Sequence, residues 1–183
     1  MARVSATVAA WTESNSSLSS ERAELHGWIA EIVSGAIKTD TDESKLLRNY
    51  LGDDTWSGET SGTALLAATV YRMASIAPEI FATDEYLDWA NEKRRAVLSR
   101  VDENGFVKPA ANPYVSASRD AVEVSPEGQS FLLLLGTAWR DCVCGGTCLA
   151  DYSREIEQKP SRDLTVGTFS GLLDRVRNVH REL

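Results

Sequence analysis

ETSGTALLAATVYRMA (Glu59 to Ala74) and SPEGQSFLLLLGTAWRD (Ser125 to Asp141) decide how this chain folds. Each begins as a loop of small and polar residues and runs directly into a helix too apolar to face water. A helix apolar on most sides needs neighbours on most sides. The design suits a helical barrel whose loops at the helix N-termini open onto one shared mouth. In the first stretch, Ser61 or Thr60 is placed to cap the free amides of a helix over Thr60 to Ile76, and Pro78 stops it. Ala64, Ala67 and Ala68 would let a neighbouring helix come close. In the second, Ser125 offers a hydroxyl cap, Pro126 takes the first helical position and Glu127 adds an acid beside the unpaired amides. The run Leu132 to Leu135 makes this helix apolar all round.

Working outward, Leu25, Trp28, Ile29, Ile32 and Val33 recur at three- and four-residue spacing, which predicts one buried stripe on a helix from about Ser20 to Ala36. Gly35 and the polar run KTDTDESK are expected to end it. NYLGDDTWSG (Asn49 to Gly58) is rich in turn formers and reads as a long loop. Thr83 or Asp84 caps a further helix, EYLDWANEKRRAVLSR, with Tyr86, Ala90 and Val97 on its buried side and Glu92 and Arg95 on a solvated one. Asp102 to Gly105 (DENG) is a turn in which Gly105 supplies a positive φ. A last helix is expected from about Val166 to Leu183. No internal repeat is visible, and the reading is all-α with little strand.

The chain has 183 residues and 43% hydrophobic content, enough for one domain with a real core. Its net charge of −8 argues against a nucleic-acid partner, because phosphate binding needs a basic surface to displace counterions. No window approaches the roughly 20 apolar residues of a membrane span. VSATVAAW, after a single Arg, is too short and too interrupted for a signal-peptide core.

SGTALLAATVYRMA, the DENGFVKPAANP turn and SPEGQSFLLLLGTAWRD occur in this order in one family. Over Met1 to Asp141 the chain resembles the C-terminal part of six-hairpin glycosidases of the unsaturated rhamnogalacturonyl hydrolase type, glycoside hydrolase family 105, and its fungal members in particular. MARVSATVAAW also resembles a family segment, one that follows a Gly-Asn-Gly-Trp-Ala-like loop. The resemblance implies a partial (α/α)6 toroid, about half of the barrel, over residues 1–144, with a divergent extension carrying a helix over 145–183. It also implies an oligosaccharide partner bearing an unsaturated uronic sugar, derived from pectin, and no cofactor. Such enzymes protonate the enol-ether double bond with a positioned carboxyl group, and water then adds beside the ring oxygen. The family's catalytic aspartate and its sugar-binding His, Arg and Trp lie N-terminal to the segment matching Met1. The catalytic residue is therefore unassigned here, and activity of this chain alone is in doubt. Full-length relatives are expected to be secreted. A half-barrel would expose the helix faces of Thr60 to Ile76 and Ser125 to Val143, which makes self-association or partial disorder an expectation. The alternative is a noncatalytic helical interaction or carbohydrate-binding module.

Trp56, Glu59 and Gln129 stand where the two helices begin. They suit sugar binding, by stacking and hydroxyl hydrogen bonds, and equally suit capping and loop support. Asp53, Asp54 and Glu59 form a tempting acid cluster, but acids in a Gly-containing loop are ordinarily a solvated turn. Cys142, Cys144 and Cys148 (DCVCGGTC) invite a zinc reading. The site would lack a fourth ligand, since His26 and His180 are far away in sequence, so no metal is expected. A disulfide from Cys148 to either of the others stays open, beside the reading of a divergent helix end without a chemical task. His26 and His180 lack a Ser, Cys or carboxylate partner at suggestive spacing and read as packing or surface residues.

Overall fold

The computed structural model describes residues 1–12, 18–112, 114, 121–122 and 125–148, all within the compact unit Met1–Tyr152. The helix expected from Val166, with His180, lies outside the described residues. The described chain is mostly helical. Its strands are four two-residue pieces in two antiparallel pairs.

Helix α1 is Ala2–Thr12 and α2 is Ser19–Thr39. The buried row of α2 is His26, Ile29, Val33 and Ala36. Trp28 and Ile32, expected in that row, are 49% and 52% exposed. Each precedes a buried residue by one position, a rotation of about 100°, so the stripe sits to one side of the expected one. Nor does Gly35 end the helix. It is exposed, and a single exposed helix glycine costs only about 1 kcal/mol relative to Ala, so α2 continues to Thr39.

After α2, β1 (Leu47–Arg48) pairs with β2 (Gly58–Glu59) in the register Leu47 to Glu59, so the loop expected over Asn49 to Gly58 ends one residue earlier, with Gly58 in β2. Helix α3 spans Thr60–Ile76 as expected, but its cap is Glu59, not Ser61 or Thr60. The Glu59 backbone is extended, and its carboxylate accepts from Ser61 N at 2.7 Å and Gly62 N at 2.5 Å. Thr60 is instead anchored to the next loop, its amide and hydroxyl both donating to the Pro109 carbonyl.

Pro78 opens the four-residue α4 (Pro78–Phe81), and Thr83 precedes α5 (Asp84–Leu98). Ala90 and Val97 are buried and Arg95 is exposed as expected, while Tyr86 is only half-buried, with its hydroxyl 2.7 Å from Ser34 Oγ. The buried face of α5 also carries groups the pattern did not flag, Asn91, Lys93 and Arg94. Tyr71 of α3 donates its hydroxyl to Asn91 Oδ1 at 2.5 Å. Arg94 lies over the Trp139 ring at 4.3 Å.

Lys93 is fully buried. Its ammonium contacts the Asp40 carboxylate and donates to the Lys45 carbonyl at 2.9 Å, while Trp89 Nε1 donates to the same Asp40 at 2.7 Å. This cluster fastens the end of α2 and the turn after it to α5.

Gly105 adopts φ +85° in the DENG turn, whose flanks meet at a Val101 to Val107 bridge. Strands β3 (Ala110–Ala111) and β4 (Ala121–Val122) follow. Helix α6, Pro126–Cys144, starts as expected, with Ser125 Oγ accepting from Gly128 N at 3.0 Å. It is not buried all round, since Leu135 is in the core while Leu133 is 68% exposed.

Contacts at both ends fix the helix directions. Ser61 and Gly128 meet where α3 and α6 begin, and Arg72 reaches Asp141 towards their ends, so these two helices run parallel. The approach is close at Gly128, where a Cβ would lie 3.2 Å from Ser61 Oγ. Helix α5 returns antiparallel, because the short α4 link joins its start to the end of α3, and the loop after it brings the Pro109 carbonyl back to Thr60.

Candidate functional site

The two helix starts singled out in the sequence stand side by side at one end of the parallel pair. Glu59 is 8% exposed and both its oxygens cap α3. Gln129 is occupied at both ends of its amide, accepting from Val107 N at 2.8 Å and donating to the Gly105 carbonyl at 2.9 Å. It therefore clamps the DENG turn onto the first turn of α6. Ser61 Oγ is buried beside Gly128 and has no hydrogen-bond partner among the described residues.

Trp56 is half-buried and leans on Tyr50, with ring centroids 4.7 Å apart and planes tilted by 46°. Tyr50, unremarked in the sequence, is 51% exposed, so the pair offers aromatic surface to solvent. Asp53 Oδ1 accepts from both the amide and the hydroxyl of Thr55, the local bonding that closes an Asx turn. Of the three residues proposed for sugar contact, Glu59 and Gln129 spend their polar atoms on backbone, and Trp56 keeps accessible ring surface.

No family model, curated protein or solved structure matches this chain. What this end of the molecule can do rests on its own geometry: an aromatic step in the loop leading into α3, whose start stands beside that of α6, with no group of three His, Cys, Asp or Glu among the described residues able to hold a metal. No described helix is long and apolar enough to cross a membrane.

Two further groupings lie away from the helix starts. Cys148 is joined to Cys142, with Cys144 free and exposed, and the bridge ties the turn after α6 back to its last turns. His26 does have a partner, contrary to the expectation from spacing. Ser5 Oγ of α1, fully buried, lies 2.7 Å from its Nε2. Spacing alone carries no sign of this pair, because it joins two helices across an intervening segment.

Burial holds the His26 imidazole below its usual value of 6.5, nearby Arg22 adds to the effect, and Glu79 opposes it. The folded protein therefore binds this proton less readily than the unfolded chain. Stability should fall as pH drops below about 6.5, until His26 itself is protonated in the folded state. Urea midpoints between pH 7.5 and 5.5 should decline in the wild type, and the decline should shrink in His26→Gln. Equal slopes would mean that other groups govern this window.

Proposed function

We infer that this chain forms a segment of a six-hairpin helical barrel of the unsaturated rhamnogalacturonyl hydrolase type, and that the end where α3 and α6 begin binds oligosaccharides carrying an unsaturated uronic sugar. The observation that carries this reading is the alternation of helices. In such a barrel the inner helices run parallel and the outer helices return between them. Here α3 and α6 are parallel, α5 returns between them, and the N-termini of α3 and α6 lie at one end. Trp56 and Tyr50 supply the stacking surface a pyranose ring needs. No residue matches the family's catalytic aspartate by motif, so the role assigned is scaffold and binding.

The test is titration of the full chain with an unsaturated rhamnogalacturonan disaccharide, followed by tryptophan fluorescence and by absorbance of the double bond. Saturable quenching that is lost in Trp56→Ala is expected. In parallel, Glu59→Ala should destabilise the fold by about 0.5–2 kcal/mol through loss of the α3 cap, with binding kept under conditions where the variant is folded. Absence of binding by folded protein would overturn the reading. Loss of the double-bond absorbance would bring Asp53 and Asp54 forward as the acid.

One observation favours a second reading, a noncatalytic interaction module. Leu65, Leu133 and Leu134 of the parallel pair are 38%, 68% and 37% exposed. A stable homodimer by sedimentation, broken by Leu133→Glu and indifferent to the disaccharide, would support the module instead.

A further inference from the structure

Between α1, α3 and α6 lies a groove of about 440 Å³, within the size range of small-molecule sites. Alanines from all three helices line it, together with Leu65 and Leu134. Its polar lining is Arg3, Thr7, Thr69 and Arg72.

The hydrogen bonding of that lining is one-sided. Thr7 Oγ1 donates to the Arg3 carbonyl at 3.0 Å and Thr69 Oγ1 to the Leu65 carbonyl at 2.9 Å, so both hydroxyl protons are used within their own helices. The donors left are two guanidinium groups. Arg72 has one 3.3 Å contact to Asp141 Oδ2, and the other oxygen of Asp141 accepts from Arg140 at 2.9 Å. Arg3 is exposed, and no described carboxylate pairs with it. No Asp or Glu lines the groove. A chain of net charge −8 thus lines this largely apolar hollow with two cations, and the nearest carboxylate shown, that of Asp141, is shared between Arg72 and Arg140. The complementary ligand has an anionic acceptor at one end and an apolar body. A carboxylate fits a guanidinium through two parallel hydrogen bonds.

We propose that this groove binds an amphipathic carboxylate, with the acid group on Arg3 and Arg72 and the apolar body against Leu65, Leu134 and the alanines. The site uses none of Tyr50, Trp56, Glu59 or Gln129, so it stands or falls independently of saccharide binding at the helix starts.

The probe is octanoate, compared with octanol and octylammonium, by calorimetric titration of the full chain. Octanoate should bind about tenfold or more tightly than octanol, a difference of one charge-assisted contact, and octylammonium should bind weakest. Arg3→Ala, at an exposed position, should lower octanoate affinity towards that of octanol, and Arg72→Ala should do the same. Leu134→Glu, also at a partly exposed position, should abolish octanoate binding while circular dichroism stays unchanged. Trp56→Ala should leave it intact. Absence of octanoate binding, equal affinities for acid and alcohol, or octanoate affinity unchanged in Arg3→Ala and in Leu134→Glu would each overturn the proposal.

Discussion

Asp40→Ala is expected to destabilise the protein by about 3–5 kcal/mol, the largest loss from any single truncation of a polar side chain here. The reason lies in what it leaves behind. Lys93 has no exposed side-chain surface, and without Asp40 its ammonium keeps the Lys45 carbonyl, Glu92 Oε2 at 3.4 Å on a partly solvated side chain, and the Trp89 ring 5.9 Å away. The Trp89 indole N–H loses its acceptor in the same step. An uncompensated buried charge is costly, whereas an apolar pair of similar volume in its place is often neutral. The Asp40→Leu, Lys93→Met double variant should therefore recover most of the loss, short of the wild-type urea midpoint by the cost of the unpaired Trp89 N–H, about 1–3 kcal/mol. If Asp40→Ala alone lost less than about 1 kcal/mol, water would have to reach the ammonium and the burial described for it would be wrong.

Phe81→Ala should cost a comparable amount, about 3–5 kcal/mol, by leaving a cavity. Phe81 is fully buried in a helix of only four residues, with its ring centroid 5.4 Å from that of Tyr86. One helical turn has no stability of its own, so α4 persists because this ring is packed. Since α4 sets the return of α5, its loss should spread: amide exchange should rise over residues 77–90 before the rest of α3 is affected. A fall in midpoint without faster exchange in that segment would contradict the role given to α4. Phe81→Leu, which refills much of the space, should recover most of the loss.

The legible parts of the fold are those set by neighbours in sequence. Thr60 to Ile76 is legible to the residue because Pro78 forbids continuation and the segment is apolar throughout. Ser125-Pro126 marks the start of α6, and Gly105 the turn, because each residue type answers a local backbone demand. The illegible parts depend on partners from elsewhere. Lys93 reads as one more charge in NEKRR until the end of α2 brings Asp40 to it. His26 acquires Ser5 only when α1 packs on α2. The α2 stripe is displaced by one position because Trp28 and Ile32 are as apolar as their buried neighbours, and only the packed face distinguishes them. At the candidate site, the positions of Trp56, Glu59 and Gln129 near two helix starts are legible. The use of Glu59 as the cap is not, because Thr60 and Ser61 are the commoner capping types.

The parallel run of α3 and α6 carries an electrostatic penalty of its own. Each helix behaves as a macrodipole with about half a positive charge at its N-terminus, and here two such ends abut at Ser61 and Gly128. Glu59, with its carboxylate on the first amides of α3, and Glu127, in the first turn of α6, place negative charge where the like poles meet. Antiparallel α5 brings a negative pole to the same end. The sum over the three helices is then close to that of one helix, and replacing both glutamates by glutamine would leave that pole exposed to whatever anion the solvent supplies.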